Sequence, residues 1–136
     1  MPEIIRILCV DDEPHILNVI RRQLYEEDYE VHTALTAEEG LKILRRVRPV
    51  HVVLSDYRMP GMNGIEFLRC VSLDWPEAVG IVISGFADTS AVKQAMDQHG
   101  LFAFIPKPWK AEEMRKTVAE AVALSLAGPG KAGHRR

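Results

Sequence analysis

Residues 50–64 read Val-His-Val-Val-Leu-Ser-Asp-Tyr-Arg-Met-Pro-Gly-Met-Asn-Gly. The first six, Val50–Ser55, form a nearly unbroken apolar run, as expected of a strand covered on both faces. Asp56 follows it, and Tyr57–Asn63 supplies the Pro, Gly and Asn of a loop. From Gly64 onward Ile65, Phe67, Leu68 and Val71 recur at helical spacing, and Trp75-Pro76 closes the segment. Strand, polar residue, loop and helix make one βα unit.

The same unit recurs on both sides. Ile4–Val10 is a second apolar strand; Asp11-Asp12-Glu13-Pro14 follows, with Pro14 suited to a first helical turn. Ile16, Leu17, Val19, Ile20 and Leu24 continue that helix. Tyr29–Ala34 alternates weakly and reads as a strand near a sheet edge. Thr36 and Glu39 have capping-box spacing before a helix carrying Leu41, Ile43, Leu44 and Val47, which Pro49 stops. Val79–Ile83 is a buried strand ending in Ser84-Gly85. Asp88 is placed to cap a weakly amphipathic helix ending near Gly100. Leu101–Ile105 is the last strand, followed by Lys107-Pro108. A final helix over Ala111–Leu126 sets Met114, Val118, Val122 and Leu126 on one face at a spacing of four. Five βα units predict an α/β fold with a parallel sheet covered by helices on both faces.

Composition allows this and narrows the rest. A chain of 136 residues suggests one domain with a real core, here over residues 1–127. The Gly-rich, basic stretch 128–136 reads as a disordered tail or the start of a linker. A net charge of −2 gives no general footprint for nucleic acid or a membrane surface. The first residues lack a signal-peptide pattern, and no apolar run reaches a membrane span, so a cytoplasmic protein is expected. Cys9 and Cys70 have no metal or redox spacing, and the histidines are scattered. Cys9 reads as a small buried hydrophobe.

The chemistry lies at the downstream strand ends, where an open parallel sheet binds its ligands. Four of the runs end in Asp11-Asp12, Asp56, Ser84 and Lys107. Each alone is an ordinary turn, cap or solvated residue. Together they form a set. Asp11 and Asp12 offer hard oxygen ligands suited to Mg²⁺. Asp56 is placed as a carboxylate nucleophile toward phosphorus. Ser84 can donate to a phosphoryl oxygen, with Gly85 leaving room for that group. Lys107, between two prolines, can meet the phosphoryl group as a point charge, and its bond to Pro108 is a candidate cis peptide. The carboxylates repel one another unless a cation is present.

On these residues the chain resembles the receiver domains of bacterial two-component response regulators over about residues 4–126. The carriers are Val10-Asp11-Asp12-Glu13, the stretch Ser55–Gly64, Ser84-Gly85 and Lys107-Pro108. The resemblance implies a doubly wound (βα)₅ fold, flavodoxin-like, with strand order 2-1-3-4-5. It implies that Asp56 is phosphorylated from a phosphohistidine on a sensor histidine kinase or phosphotransfer protein. It assigns Mg²⁺ to Asp11, Asp12, Asp56 and the backbone carbonyl of Arg58, and phosphoryl contacts to Ser84 and Lys107. Phe104 falls where the family keeps a switch aromatic, without the hydroxyl of a tyrosine. The expected output is altered partner binding, with homodimerisation through the fourth helix, last strand and fifth helix as one form. The domain is expected to be a phosphoacceptor that assists its own phosphorylation and dephosphorylation, and no enzyme. Its output domain or partner is not identified by the sequence.

Two other readings compete. An Mg²⁺-dependent phosphatase or phosphotransferase with an Asp nucleophile usually has a second acid two residues on, where this chain has Arg58. A receiver acting only as a scaffold would have no need of the complete acid, Ser and Lys set.

Overall fold

The computed structural model describes residues 3–99 and 101–128, so the basic stretch beyond Gly128 lies outside the described residues. Five strands, β1 (Arg6–Val10), β2 (Glu30–Ala34), β3 (Val52–Asp56), β4 (Val79–Ser84) and β5 (Ala103–Pro106), alternate with five helices. The helices are α1 (Pro14–Gln23), α2 (Ala37–Arg46), α3 (Gly64–Asp74), α4 (Thr89–His99) and α5 (Ala111–Ala127). All four strand pairings are parallel, and the order is β2-β1-β3-β4-β5.

Side-chain alternation divides the core in two. Ile7 and Cys9 of β1, Val52 and Leu54 of β3, and Ile81 and Ile83 of β4 pack with α1 and α5. Leu8, Val10, Val53 and Val82 point the other way, toward α2, α3 and α4. Both faces being covered explains the continuous apolar runs of the central strands. The weakly patterned β2 is an edge strand, as its sequence suggests. Cys9 is buried, and burial pushes its thiol up to about 12, which keeps it a neutral packing group.

Local signals hold in part. Pro14 opens α1, and Thr36 Oγ1 accepts from the Glu39 backbone N–H at 3.0 Å. Glu39, however, reaches past Thr36 and accepts from the Leu35 N–H at 2.8 Å. The reciprocal box lies at α3 instead: Asn63 accepts from the Glu66 N–H, and Glu66 accepts from the Asn63 N–H, each at 2.9 Å. The Lys107–Pro108 bond is cis, as is Arg48–Pro49.

The expected face of α5 needs one correction. Met114, Val118 and Val122 are buried, but Leu126 is 51% exposed. Four-residue steps outrun a 3.6-residue turn, so Leu126 stands about 120° around the axis from Met114. Ser125 takes the inward place, and its hydroxyl donates to the Glu77 carbonyl at 2.6 Å. At the amino end of the sheet His51 is buried and its Nδ1 accepts from the Arg6 N–H at 3.1 Å, which fixes a tautomer whose Nε2 faces Glu3 at 2.9 Å.

Candidate functional site

The crevice is built by the carboxyl ends of β1, β3, β4 and β5. Asp11 follows the last residue of β1, and its backbone N–H donates to the Ala34 carbonyl of β2 at 3.1 Å. Its Oδ1 accepts from the Glu13 N–H at 2.9 Å, which turns the chain into α1. Asp56 is the final residue of β3, where register places it beside Ile83 of β4. Ser84 ends β4, and the Lys107 N–H donates to its carbonyl at 2.8 Å.

The loop after Asp56 folds back tightly. Pro60 precedes Gly61, whose φ of 79° suits the third position of a type II turn. The Gly64 N–H donates to the Tyr57 carbonyl at 2.8 Å, and a Cβ on Gly64 would collide with the Asp56 carbonyl oxygen. The approach of α3 to the end of β3 therefore requires glycine.

Three carboxylates converge: an oxygen from each of Asp11, Asp12 and Asp56 lies within 4.8 Å of the others. Lys107 Nζ stands 3.0 Å from Asp56 Oδ1 and 3.9 Å from Asp11 Oδ2. The second distance is too long for a hydrogen bond, so Asp11 Oδ2 is buried with no hydrogen-bond partner. Burial, opposed by the Glu13 N–H and reinforced by Asp56, raises the Asp11 carboxyl from 3.8 to about 6. Burial also lifts Asp56 above the ordinary carboxylate range, against the pull of Lys107. The Lys107 ammonium is opposed by its own burial, yet Asp56, Asp11 and Glu13 hold it above its usual value. The cluster carries more negative charge than Lys107 can balance. An orphaned buried carboxylate oxygen among all-oxygen donors fits a small hard cation such as Mg²⁺.

Ser84 is buried, and its Oγ donates to its neighbour's carbonyl, Gly85 O, at 3.1 Å. A Cβ on Gly85 would meet nothing within 4 Å, so open space lies beside it. Phe104 is half-buried on β5 opposite Val82, with Lys93 Nζ 5.7 Å from its ring centre.

The Asp88 side chain departs from its expected role as a helix cap. Asp88 ends a short 3-10 turn (Phe86–Asp88) before α4, and both its oxygens accept from Arg58. Arg58 Nε lies 2.7 Å from Oδ2 and Nη2 lies 2.8 Å from Oδ1. The expected helix cap is thus an ion-pair partner, because a carboxylate accepts a guanidinium fork more strongly than a lone amide. The two residues are thirty positions apart, so no local spacing rule could have paired them. With Asp12, Tyr57, Met59, Pro60 and Asn63 they line a cavity of about 480 Å³.

The comparisons with known proteins agree with this geometry. The family model of the response regulator receiver domain matches residues 7–119. The hydrogenase transcriptional regulatory protein HoxA of Cupriavidus necator is 41% identical over 116 residues, covering 85% of this chain and 24% of that protein. The two-component response regulator ARR11 of Arabidopsis thaliana is 35% identical, covering 82% of this chain and 21% of that protein. The chain thus spans about a quarter of the length of these curated relatives. Among solved structures, a response regulator receiver domain protein from Clostridium thermocellum superposes with a TM-score of 0.83 at 29% identity, covering 91% of this chain and 98% of that one. A receiver domain protein from Methanospirillum hungatei gives a TM-score of 0.82 at 29% identity, over 92% and 98% of the two chains. The chain belongs to the receiver domains of two-component response regulators.

Proposed function

We propose that this domain is a phosphoacceptor switch in which Asp56 takes a phosphoryl group from a histidine kinase or a phosphotransfer protein. The observation that carries the reading is the close set of Asp11, Asp12 and Asp56 with Lys107 3.0 Å from Asp56. An Asp56 oxygen attacks phosphorus, the P–N bond to the donor imidazole breaks, and the nitrogen leaves with its electron pair. Water later attacks the acyl phosphate and returns the Asp56 carboxylate and inorganic phosphate.

The chain's own groups supply positioning and charge. Asp11, Asp12, Asp56 and the Arg58 carbonyl would hold Mg²⁺, whose charge offsets that of the phosphoryl oxygens. Lys107, 3.0 Å from Asp56 Oδ1, would pair with a phosphoryl oxygen once Asp56 is phosphorylated. Ser84 can turn its hydroxyl from the Gly85 carbonyl to the phosphoryl group, entering the space that Gly85 leaves open. Phe104, half-buried on the neighbouring strand β5, is the proposed relay from Ser84 toward α4 and α5. A phosphatase acting on outside substrates is disfavoured by Arg58, whose guanidinium does not give up a proton to a leaving group.

The test is incubation with acetyl phosphate or beryllofluoride, with and without Mg²⁺, followed by intact mass and NMR. An Mg²⁺-dependent adduct in the wild type, lost in Asp56→Asn, is expected. Equal uptake by Asp56→Asn removes that residue from the role. No adduct in folded wild type favours a scaffold.

A further inference from the structure

Helix α4 is lightly held. Among its described side chains only Val92 is fully buried, with Ala95 and Met96 half-buried against the same cluster. Two polar links tie its start to the phosphoryl site. The first is the Arg58–Asp88 fork, which joins the loop after β3 to the turn before α4. The second is the Gly85 carbonyl, which accepts from both the Ser84 hydroxyl at 3.1 Å and the Asp88 N–H at 3.2 Å. Asp88 is thus held by Arg58, two residues after Asp56, through its side chain, and by Gly85, next to Ser84, through its backbone.

The fork also blocks a charge from the site. Arg58 and Asp88 wall the same cavity as Asp12, which belongs to the acidic cluster. The Arg58 guanidinium is committed to Asp88, although its side chain is 76% exposed. A single carboxylate holds it with one negative charge. A phosphoryl group brings nearly two, with three acceptor oxygens. Once that group forms on Asp56, a stronger acceptor for the same planar fork stands beside Asp12, which lines the same cavity as Arg58.

We infer that the Arg58–Asp88 pair is a latch: it holds α4 in its resting position and keeps Arg58 in reserve, and phosphorylation draws Arg58 to the phosphoryl oxygens and frees the α4 start. The inference rests on the phosphoacceptor reading above. It adds that Asp88 competes with the phosphoryl group for Arg58. Asp88 is a positioning residue, and Arg58 is the contact that it withholds.

Three variants separate this from a merely structural pair. In the metal-free, unphosphorylated protein, NMR of the amides of residues 89–96 reads the latch directly. Asp88→Asn and Arg58→Ala should both move those amides toward their positions in the phosphorylated wild type. After labelling with acetyl phosphate and Mg²⁺, the lifetimes should part. Asp88→Asn should lengthen the phosphoryl lifetime by roughly fivefold, the factor of one exposed charge-assisted contact. Arg58→Ala should not lengthen it, and the double variant should match Arg58→Ala. Resting amides at wild-type positions in Asp88→Asn would overturn the latch. So would lifetimes that change equally in both single variants. In either case wild-type labelling at Asp56 leaves the phosphoacceptor reading standing, whereas a folded wild type that takes no label overturns both.

Discussion

Replacing Asp11 by asparagine should stabilise the metal-free protein. The Asp11 carboxyl is buried, one of its oxygens has no hydrogen-bond partner, and Asp12 and Asp56 stand beside it. Its folded value is raised from 3.8 to about 6, so ionisation is penalised in the folded state. The penalty is absent well below 3.8, grows between 3.8 and about 6, and is full above 6. At ~1.4 kcal/mol per pH unit it amounts to ~3 kcal/mol at pH 7.5 and ~1 kcal/mol at pH 4.5. Asparagine keeps an Oδ1 to accept the Glu13 N–H and carries no charge to bury. In chelator, urea denaturation of Asp11→Asn should give a midpoint well above wild type at pH 7.5, with about a third of that gap left at pH 4.5. The thermal midpoint at neutral pH should rise by on the order of 10 °C. Millimolar Mg²⁺ should close or reverse the gap, because only the wild type retains the full ligand set. A variant no more stable than wild type in chelator at pH 7.5 would refute the reasoning, since the buried charge would then cost nothing.

Other outcomes follow from the same contacts. Lys107→Ala removes the nearest positive charge from Asp56 and should destabilise the metal-free fold by roughly 1–3 kcal/mol, with most of the loss restored by Mg²⁺ in the same urea titration. It should also uncouple phosphorylation from the amide shifts of α4 and α5. Gly64→Ala must push α3 away from the Asp56 carbonyl, costing about 1–3 kcal/mol and weakening Mg²⁺ binding measured by calorimetry. Asn63→Ala breaks one arm of the α3 capping box and should cost about 1 kcal/mol, with Asn63→Asp restoring most of it.

The fold was legible because burial on both faces writes itself as unbroken apolar runs. Val79–Ile83 and Ile4–Val10 could hardly be anything but central strands. The meeting of Asp11, Asp56 and Lys107, with Ser84 at the same edge of the sheet, was legible for a related reason: parallel strands put their downstream ends on one side. What escaped were choices among equivalent hydrogen bonds. Thr36 and Asn63 both have a glutamate three residues on, and only backbone geometry decides that Glu66 closes a box and Glu39 reaches Leu35. His51 looked like one of several scattered histidines, because its partners Arg6 and Glu3 are distant in sequence. Asp88 was assigned its local duty as a cap, and its distant partner Arg58 took precedence.

The last turn of α5 is bolted down through Ser125, whose hydroxyl holds the Glu77 carbonyl just ahead of β4. An unanchored helix end unwinds under load and dissipates it. Here the anchor lies at the root of β4, the strand whose far end carries Ser84. The end of α5 and the start of β4 are thereby pinned to each other, so neither can shift alone without breaking this 2.6 Å hydrogen bond.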